Sequence, residues 1–180
     1  MKNFETKNLV IRKFKMEDAE DVHKYLATET KLVDCMGYNM HENISETEKM
    51  VSSFIKEYEM NELIWAIEYK KTNEVIGFFN AFEKSEKNKI CKFKFGIALD
   101  YVYTGLMEEA LTEICNYLFD EKNINVLISE FYDGNKELIE MKSKMLENVG
   151  FTREAILHKR KINEKTGIAE NKIIYSKFKD

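Results

Sequence analysis

Cysteine is scarce in this chain of 180 residues, and the three present, Cys35, Cys91 and Cys115, are scattered. An odd, widely spaced set builds no disulfide framework and has no metal-ligand spacing. Each reads as a small buried hydrophobe in a reducing compartment, not as a nucleophile. Proline is absent altogether. Beside an excess of Lys, Asn, Ile and Glu this reads as coding bias, and no function is drawn from it. No window approaches the ~18 apolar residues of a membrane helix. The N-terminal Met1-Lys2-Asn3-Phe4-Glu5 lacks the apolar core of a secretory signal. The expectation is a cytoplasmic protein with no membrane partner and no metal. There is no excess of positive charge either, and a net charge of −4 argues against a nucleic-acid partner.

What is present is ordinary globular composition, 44% hydrophobic and 33% charged, at a length that fits one domain over residues 1–180. The charge is unevenly spread. Residues 17–62 carry 12 Asp/Glu against 4 Lys, while the remainder carries 24 Lys/Arg against 20 Asp/Glu. A negative segment fits a cationic substrate and a positive remainder fits a phosphorylated one. Both fit solvated helix faces equally well.

Periodicity gives the order of elements. Residues 8–15 alternate as a strand. From Glu17 to Ala27 the residues Ala19, Val22, His23, Leu26 and Ala27 share one helical face. An irregular stretch, Asp34 to His41, follows. Ser45-Glu46-Thr47-Glu48 fits a capping box, opening a helix that buries Met50, Val51, Phe54, Ile55 and Tyr58. Three strands come next, Leu63 to Tyr69, Glu74 to Phe82 and Ile90 to Leu99, joined by polar turns. A helical stripe runs through Leu106, Met107, Ala110, Leu111, Ile114, Tyr117 and Leu118. The strand Ile124 to Phe131, the helix Lys136 to Asn148, and two strands, Phe151 to Arg160 and Ile168 to Phe178, complete the chain. The order β-α-α-β-β-β-α-β-α-β-β predicts an α/β (α+β) fold with one mixed sheet and helices on both faces.

The junction Phe95-Gly96-Ile97-Ala98-Leu99-Asp100-Tyr101-Val102-Tyr103-Thr104-Gly105-Leu106-Met107 is the most informative segment. A glycine at the mouth of a helix lets backbone amides approach a ligand, and the free amides favour phosphate. Alone, such a glycine is more often a plain turn. Several local patterns accompany it. Thr6-Lys7-Asn8-Leu9-Val10-Ile11-Arg12 is similar to T-x-R-L-x-L-R, with Asn8 departing from it. Gly105-Leu106-Met107-Glu108-Glu109-Ala110 is similar to G-x-[GAM]-x-E-A. Gly150-Phe151-Thr152-Arg153-Glu154 is similar to G-F-x-x-E, and Asn171 to Ser176 is similar to D-x-x-x-Y-S. Trp65-Ala66-Ile67 followed by Glu74-Val75-Ile76-Gly77 also fits. In this order they resemble the GNAT superfamily of N-acetyltransferases, closest to the branch that acetylates ribosomal-protein N-termini.

The resemblance implies acetyl-CoA as the acyl donor. Its pantetheine arm would lie between the splayed fourth and fifth strands against Ile97, Ala98 and Leu99, a form of strand addition. Its pyrophosphate would rest on backbone amides of Tyr103, Thr104, Gly105, Leu106 and Met107, with Asn135 as a further contact. The departures are also specific. Val102 stands where the family's phosphate loop has Arg or Gln, and Tyr103, bulky enough to crowd the phosphates, replaces a second glycine. The approach to Gly105 is about two residues short. Lys94 replaces a Glu that relatives often place before the strand-four glycine. About one turn is inserted between Asn135 and Gly150, so that the thiolate-protonating tyrosine of many relatives falls at Leu146. Ser143 is near the serine the branch uses instead, one residue out of register. The candidates for acid–base roles are therefore Glu130, Tyr132 and Ser143, with Glu68 and His41 behind them; each also reads as a solvated side chain. The implied reaction is direct attack by a primary amine, on a small molecule or a protein N-terminus, by a monomer or homodimer. The alternatives are a non-catalytic acyl-CoA-binding or regulatory protein with a degenerate phosphate loop, and a partner-binding domain.

Overall fold

The computed structural model describes residues 1–29, 40–164 and 166–179. Over these residues the chain forms eight strands and four helices. A short strand β1 (Phe4–Glu5) precedes β2 (Leu9–Arg12). Helix α1 starts as a 3-10 turn (Met16–Asp18), continues as an α turn (Ala19–Val22) and ends in a π turn (His23–Ala27). Then come α2 (Ile44–Glu57), β3 (Leu63–Tyr69), β4 (Glu74–Ser85), β5 (Ile90–Ile97), α3 (Leu106–Asp120), β6 (Val126–Tyr132), α4 (Lys136–Asn148), β7 (Thr152–Ile162) and β8 (Ala169–Phe178). The mixed α/β architecture expected from the sequence is present. β1 is the addition, so the expected fourth and fifth strands are β5 and β6. Of the irregular stretch expected from Asp34 to His41, all but Met40 and His41 lies outside the described residues.

All eight strands share one sheet in the order β1-β2-β3-β4-β5-β6-β8-β7. Neighbours pair antiparallel except β5 with β6, which run parallel. A parallel pair needs a crossover, and α3 supplies it. One face of the sheet buries Trp65, Phe79, Phe93 and Phe95 against α3 and α4, with Leu111, Ile114 and Leu146 from the helices. The other face buries Ile64, Ala66, Val75 and Phe78 against Val22 and Leu26 of α1 and Val51 and Phe54 of α2.

Polar pairs fix the layers. Arg12 on β2 donates to both carboxylate oxygens of Asp18 at 2.8 Å and to Glu68 of β3 at 2.7 Å. Glu109 of α3 accepts from the Asn8 amide at 2.8 Å and from its side chain at 2.7 Å, tying the crossover helix to the start of β2. The α2 cap differs from the sequence expectation. Asn43, not Ser45, is the N-cap, with its side chain accepting from the Glu46 amide. Asn and Ser are equivalent caps by type, and spacing alone does not choose between them. The opening strand expected over residues 8–15 is β2 and ends at Arg12, because Lys15 caps the turn that starts α1.

Candidate active site

The β5/β6 ladder is short. It pairs Ile90 with Val126, Cys91 with Leu127, Lys92 with Ile128 and Phe93 with Ser129, and goes no further. Yet β5 stays paired to β4 as far as Ile97, and β6 stays paired to β8 as far as Tyr132. Beyond Phe93 and Ser129 the two strands therefore diverge, leaving a wedge-shaped gap. The Ala98 amide donates to the Ile76 carbonyl at 2.7 Å. Backbone groups alternate sides along a strand, so Gly96 also faces β4, while Phe95 and Ile97 turn theirs toward the gap. Of the three residues expected along the pantetheine arm, Ile97 presents a strand edge to the gap. The Ala98 amide is already used, and the Ala98 and Leu99 carbonyls accept from Tyr101 and Val102 in the 3-10 turn that follows.

At the wide end of the gap, Gly105 takes φ 80° as the N-cap of α3, a left-handed conformation that glycine adopts without strain. A Cβ there would meet nothing within 4 Å, so the backbone is open to approach. The first bond of the helical ladder is Glu109 N–H to Gly105 C=O. Amides before it have no partner in the helical ladder, although the Leu106 N–H reaches the Thr104 hydroxyl at 3.5 Å and the Thr104 N–H donates to the Tyr101 carbonyl at 3.3 Å. Leu106 and Met107 are buried and offer backbone only. Val102, at the position of the family's Arg or Gln, packs against the core. Tyr103 does not crowd the loop. Its φ is 69° and its ring stands 70% exposed, 5.9 Å from the Lys144 ammonium. An open depression of about 310 Å³ lies here, lined by Tyr103, Gly105, Glu108, Met141, Lys144 and Asn148 among others. Lys144 is a cation beside the helix mouth that the sequence reading missed; it gave no signal beyond one more surface lysine. The carboxylate of Glu108 is the discordant group. It accepts from Asn148 at 3.1 Å, and its second oxygen is buried without a hydrogen-bond partner.

Helix α4 covers the gap. Asn135 is its N-cap, with Oδ1 accepting from the Leu138 amide at 3.1 Å, so a ligand contact from this residue falls to its Nδ2. Ser143 faces the Tyr175 hydroxyl under β8, and that hydroxyl donates to Glu147 at 2.8 Å. The residue of α4 that lies over the gap is Lys142. Its ammonium stands 4.7 Å from the Phe95 ring centroid and 5.4 Å from that of Phe131. Leu146 is fully buried.

On the opposite face, the candidate bases are engaged. Glu130 sits between Lys172 at 2.9 Å and Lys92 at 3.3 Å. Burial pushes its carboxyl up, but the two ammonium groups outweigh this and hold it below the ordinary carboxylate value. Glu68 is committed to Arg12. The Tyr132 ring carries Lys161 and Lys172 at 5.3 and 5.6 Å. The Lys94 ammonium lies 5.4 Å from the Phe82 ring centroid. His41 and His23 both place Nδ1 at 2.8 Å from the buried Thr47 hydroxyl. Burial lowers the His41 pKa, with Glu46 opposing and His23 adding. Among the described residues no group of three or more His, Cys, Asp or Glu could hold a metal ion.

A mixed sheet with two strands parted at a helix mouth is the arrangement that the resemblance to the acetyltransferases implies. A family model for the acetyltransferase (GNAT) domain matches residues 8–152, and the chain belongs to this family. A Bacillus subtilis (strain 168) protein described as the uncharacterized N-acetyltransferase YoaA is 22% identical over 154 residues, 85% of this chain and 84% of that one. The ribosomal-protein-S5-alanine acetyltransferase of Vibrio fischeri superposes with a TM-score of 0.81 at 17% identity, over 100% of this chain and 98% of that one. The spermidine N-acetyltransferase of Vibrio cholerae, solved with CoA and spermine, superposes with a TM-score of 0.74 at 17% identity, over 96% of each chain. The protein is thus an acetyltransferase of the GNAT family.

Proposed function

We propose that the acceptor is a cationic primary amine, a polyamine-like small molecule or a protein N-terminus, and that it meets the thioester in the β5/β6 gap from the α1–α2 face. The observation that carries this reading is the divergence of β5 and β6 beyond Phe93 and Ser129. The gap it opens has the helix mouth at Gly105 at one end and runs between the two helical layers. The α1–α2 layer is the acid-rich part of the chain, which concentrates cations.

In this reading the α3 amides from Tyr103 to Met107 and Lys144 hold the pyrophosphate, and the exposed edge of β5 aligns the pantetheine amides. A gap-facing N–H of β5 polarises the thioester carbonyl. The amine nitrogen forms a C–N bond as the C–S bond breaks. Glu130 and Glu68 are held in ion pairs, so neither is assigned as base, and the amine proton leaves to water. A cytoplasmic setting and one domain over 1–180 fit the buried free thiols Cys91 and Cys115 and a sheet that takes strands from both ends of the chain.

Acetyl-CoA should raise the melting temperature, since a ligand at 100 times its Kd adds about 2.7 kcal/mol. Thiol release should then follow polyamines and peptide N-termini in preference to neutral or anionic amines. Absence of any shift at millimolar acetyl-CoA would remove the donor seat. Equal turnover of anionic amines would remove the cationic acceptor.

A further inference from the structure

Lys142 is only 4% exposed. Its two ring contacts define its position closely. Phe95 lies two residues beyond the last β5 pair and Phe131 two residues beyond the last β6 pair, so an ammonium between these rings straddles the gap. Aromatic faces stabilise a buried ammonium held over them.

A second observation lies at the closed end of the wedge. Ser129, the last paired residue of β6, is 1% exposed, and its hydroxyl has no hydrogen-bond partner. It shares a face of β6 with Phe131, below Lys142. A buried unpaired hydroxyl costs ~1–3 kcal/mol, and a ligand ending at the vertex would relieve it. With the phosphates at Gly105, an arm running back along β5 from Ile97 to Phe93 covers about 13 Å at ~3.3 Å per residue. Its sulfur end then lies between Ser129 and Lys142.

We infer that Lys142 is the catalytic residue that receives the leaving sulfur. Its ammonium faces the thioester and stabilises the thiolate by its charge, keeping its own proton. The amine lone pair forms the C–N bond and the C–S electron pair departs on sulfur as the CoA thiolate beside Lys142. The amine nitrogen loses its proton to water. Ser129 donates to the same sulfur and positions it. This role rests on the donor seat described above.

The test is the ultraviolet thiolate band of CoA bound to the intact protein, at a fixed pH just below the ordinary thiol pKa of ~8.5. Bound CoA should be more ionised than free CoA on the wild type and on Lys142→Arg. On Lys142→Met the excess band should vanish and kcat should fall about 10²- to 10³-fold, with the Kd for acetyl-CoA within about threefold. A purely structural lysine would leave the band unmoved. Several results overturn the assignment: a wild-type complex with no excess thiolate, Lys142→Met with kcat within about threefold, or Lys142→Met that binds acetyl-CoA tenfold tighter at unchanged kcat, which would make Lys142 an occupant of the slot. The wild-type band and the Arg variant decide the matter even where Lys142→Met does not fold. If wild-type protein binds no CoA, the donor seat fails first and the assignment fails with it; a bound complex without the band sinks the lysine alone.

Discussion

Tyr103 is the residue at which the loop departs most visibly from glycine chemistry, and the backbone shows why a glycine would sit there. At φ 69° a side chain bears the left-handed penalty of ~1–2 kcal/mol, against the ~0.5–1 kcal/mol that glycine loses in the unfolded chain. The ring itself is exposed and turned away from the α3 amides, resting near Lys144. Two variants separate backbone from ring. Tyr103→Gly should be more stable than Tyr103→Ala by about 1 kcal/mol in urea denaturation, while both keep the acetyl-CoA Kd within about threefold of wild type. A large and equal loss of affinity in both would show instead that the ring itself holds the nucleotide. The same scale explains what the motifs do. Glu109 binds Asn8, Glu154 accepts from the Ser176 hydroxyl, and Asp133 accepts from the Asn171 amide and side chain at 2.7 Å. The residues that made the resemblance recognisable are mostly fasteners between strands and helices, which is why they identify the fold well and the chemistry poorly.

At the scale of elements, local signals place the strands and helices, though not the cap of α2 or the end of β2. The alternation of β3 to β5, the α3 stripe and the glycine at its mouth depend on near neighbours. The end of the β5/β6 ladder does not. It depends on which strand holds Phe95 and Phe131 after Phe93 and Ser129 have paired, and no window of sequence contains that contact. The register of α4 is similar. Ser143 and Lys142 are adjacent in sequence and 100° apart on the helix, so one faces Tyr175 and the other the gap, and only packing decides which. Arg12 is an intermediate case. The motif marked it, but its two acidic partners come from α1 and β3. Side-chain exposures of 12% for Arg12, 6% for Asp18 and 18% for Glu68 put this group inside the protein, where removal of one partner leaves uncompensated charge. Arg12→Ala should cost about 3–5 kcal/mol by chemical denaturation. Arg12→Lys should recover part of it, since an ammonium cannot match the planar fork that engages both Asp18 oxygens. A loss below about 1 kcal/mol for the alanine variant would show that the triad contributes nothing net.

For the whole molecule, charge and burial set opposite edges of a stability plateau. Glu130 is held below its ordinary value by Lys172 and Lys92, against the upward push of burial. Glu109 is likewise pushed up by burial and drawn further down by its hydrogen bonds from Thr6 and Asn8. Their stabilisation is complete above the unfolded carboxyl value of ~4.3 and is lost as pH falls through the folded values. The acid limb should therefore lie below pH ~4.3, and Glu130→Gln should flatten it while lowering the plateau. The alkaline limb has a different origin. Burial pushes the thiols of Cys91 and Cys115 up to about 12, above the ~8.5 of an exposed thiol. A raised folded pKa means full stabilisation below ~8.5, lost as pH climbs toward 12, because only the unfolded chain releases the proton in that window. Each buried thiol contributes a slope of about 1.4 kcal/mol per pH unit there. Cys115→Ala removes a fully buried sulfur, so it should lower the plateau by a constant packing cost and, on the alkaline side alone, reduce the slope by that amount. Denaturant midpoints taken from pH 7 to 11 for wild type and variant will read both effects. Parallel curves through the alkaline range would mean that the Cys115 thiol ionises as readily in the folded protein as in the unfolded chain, and that the alkaline edge is set elsewhere in the fold.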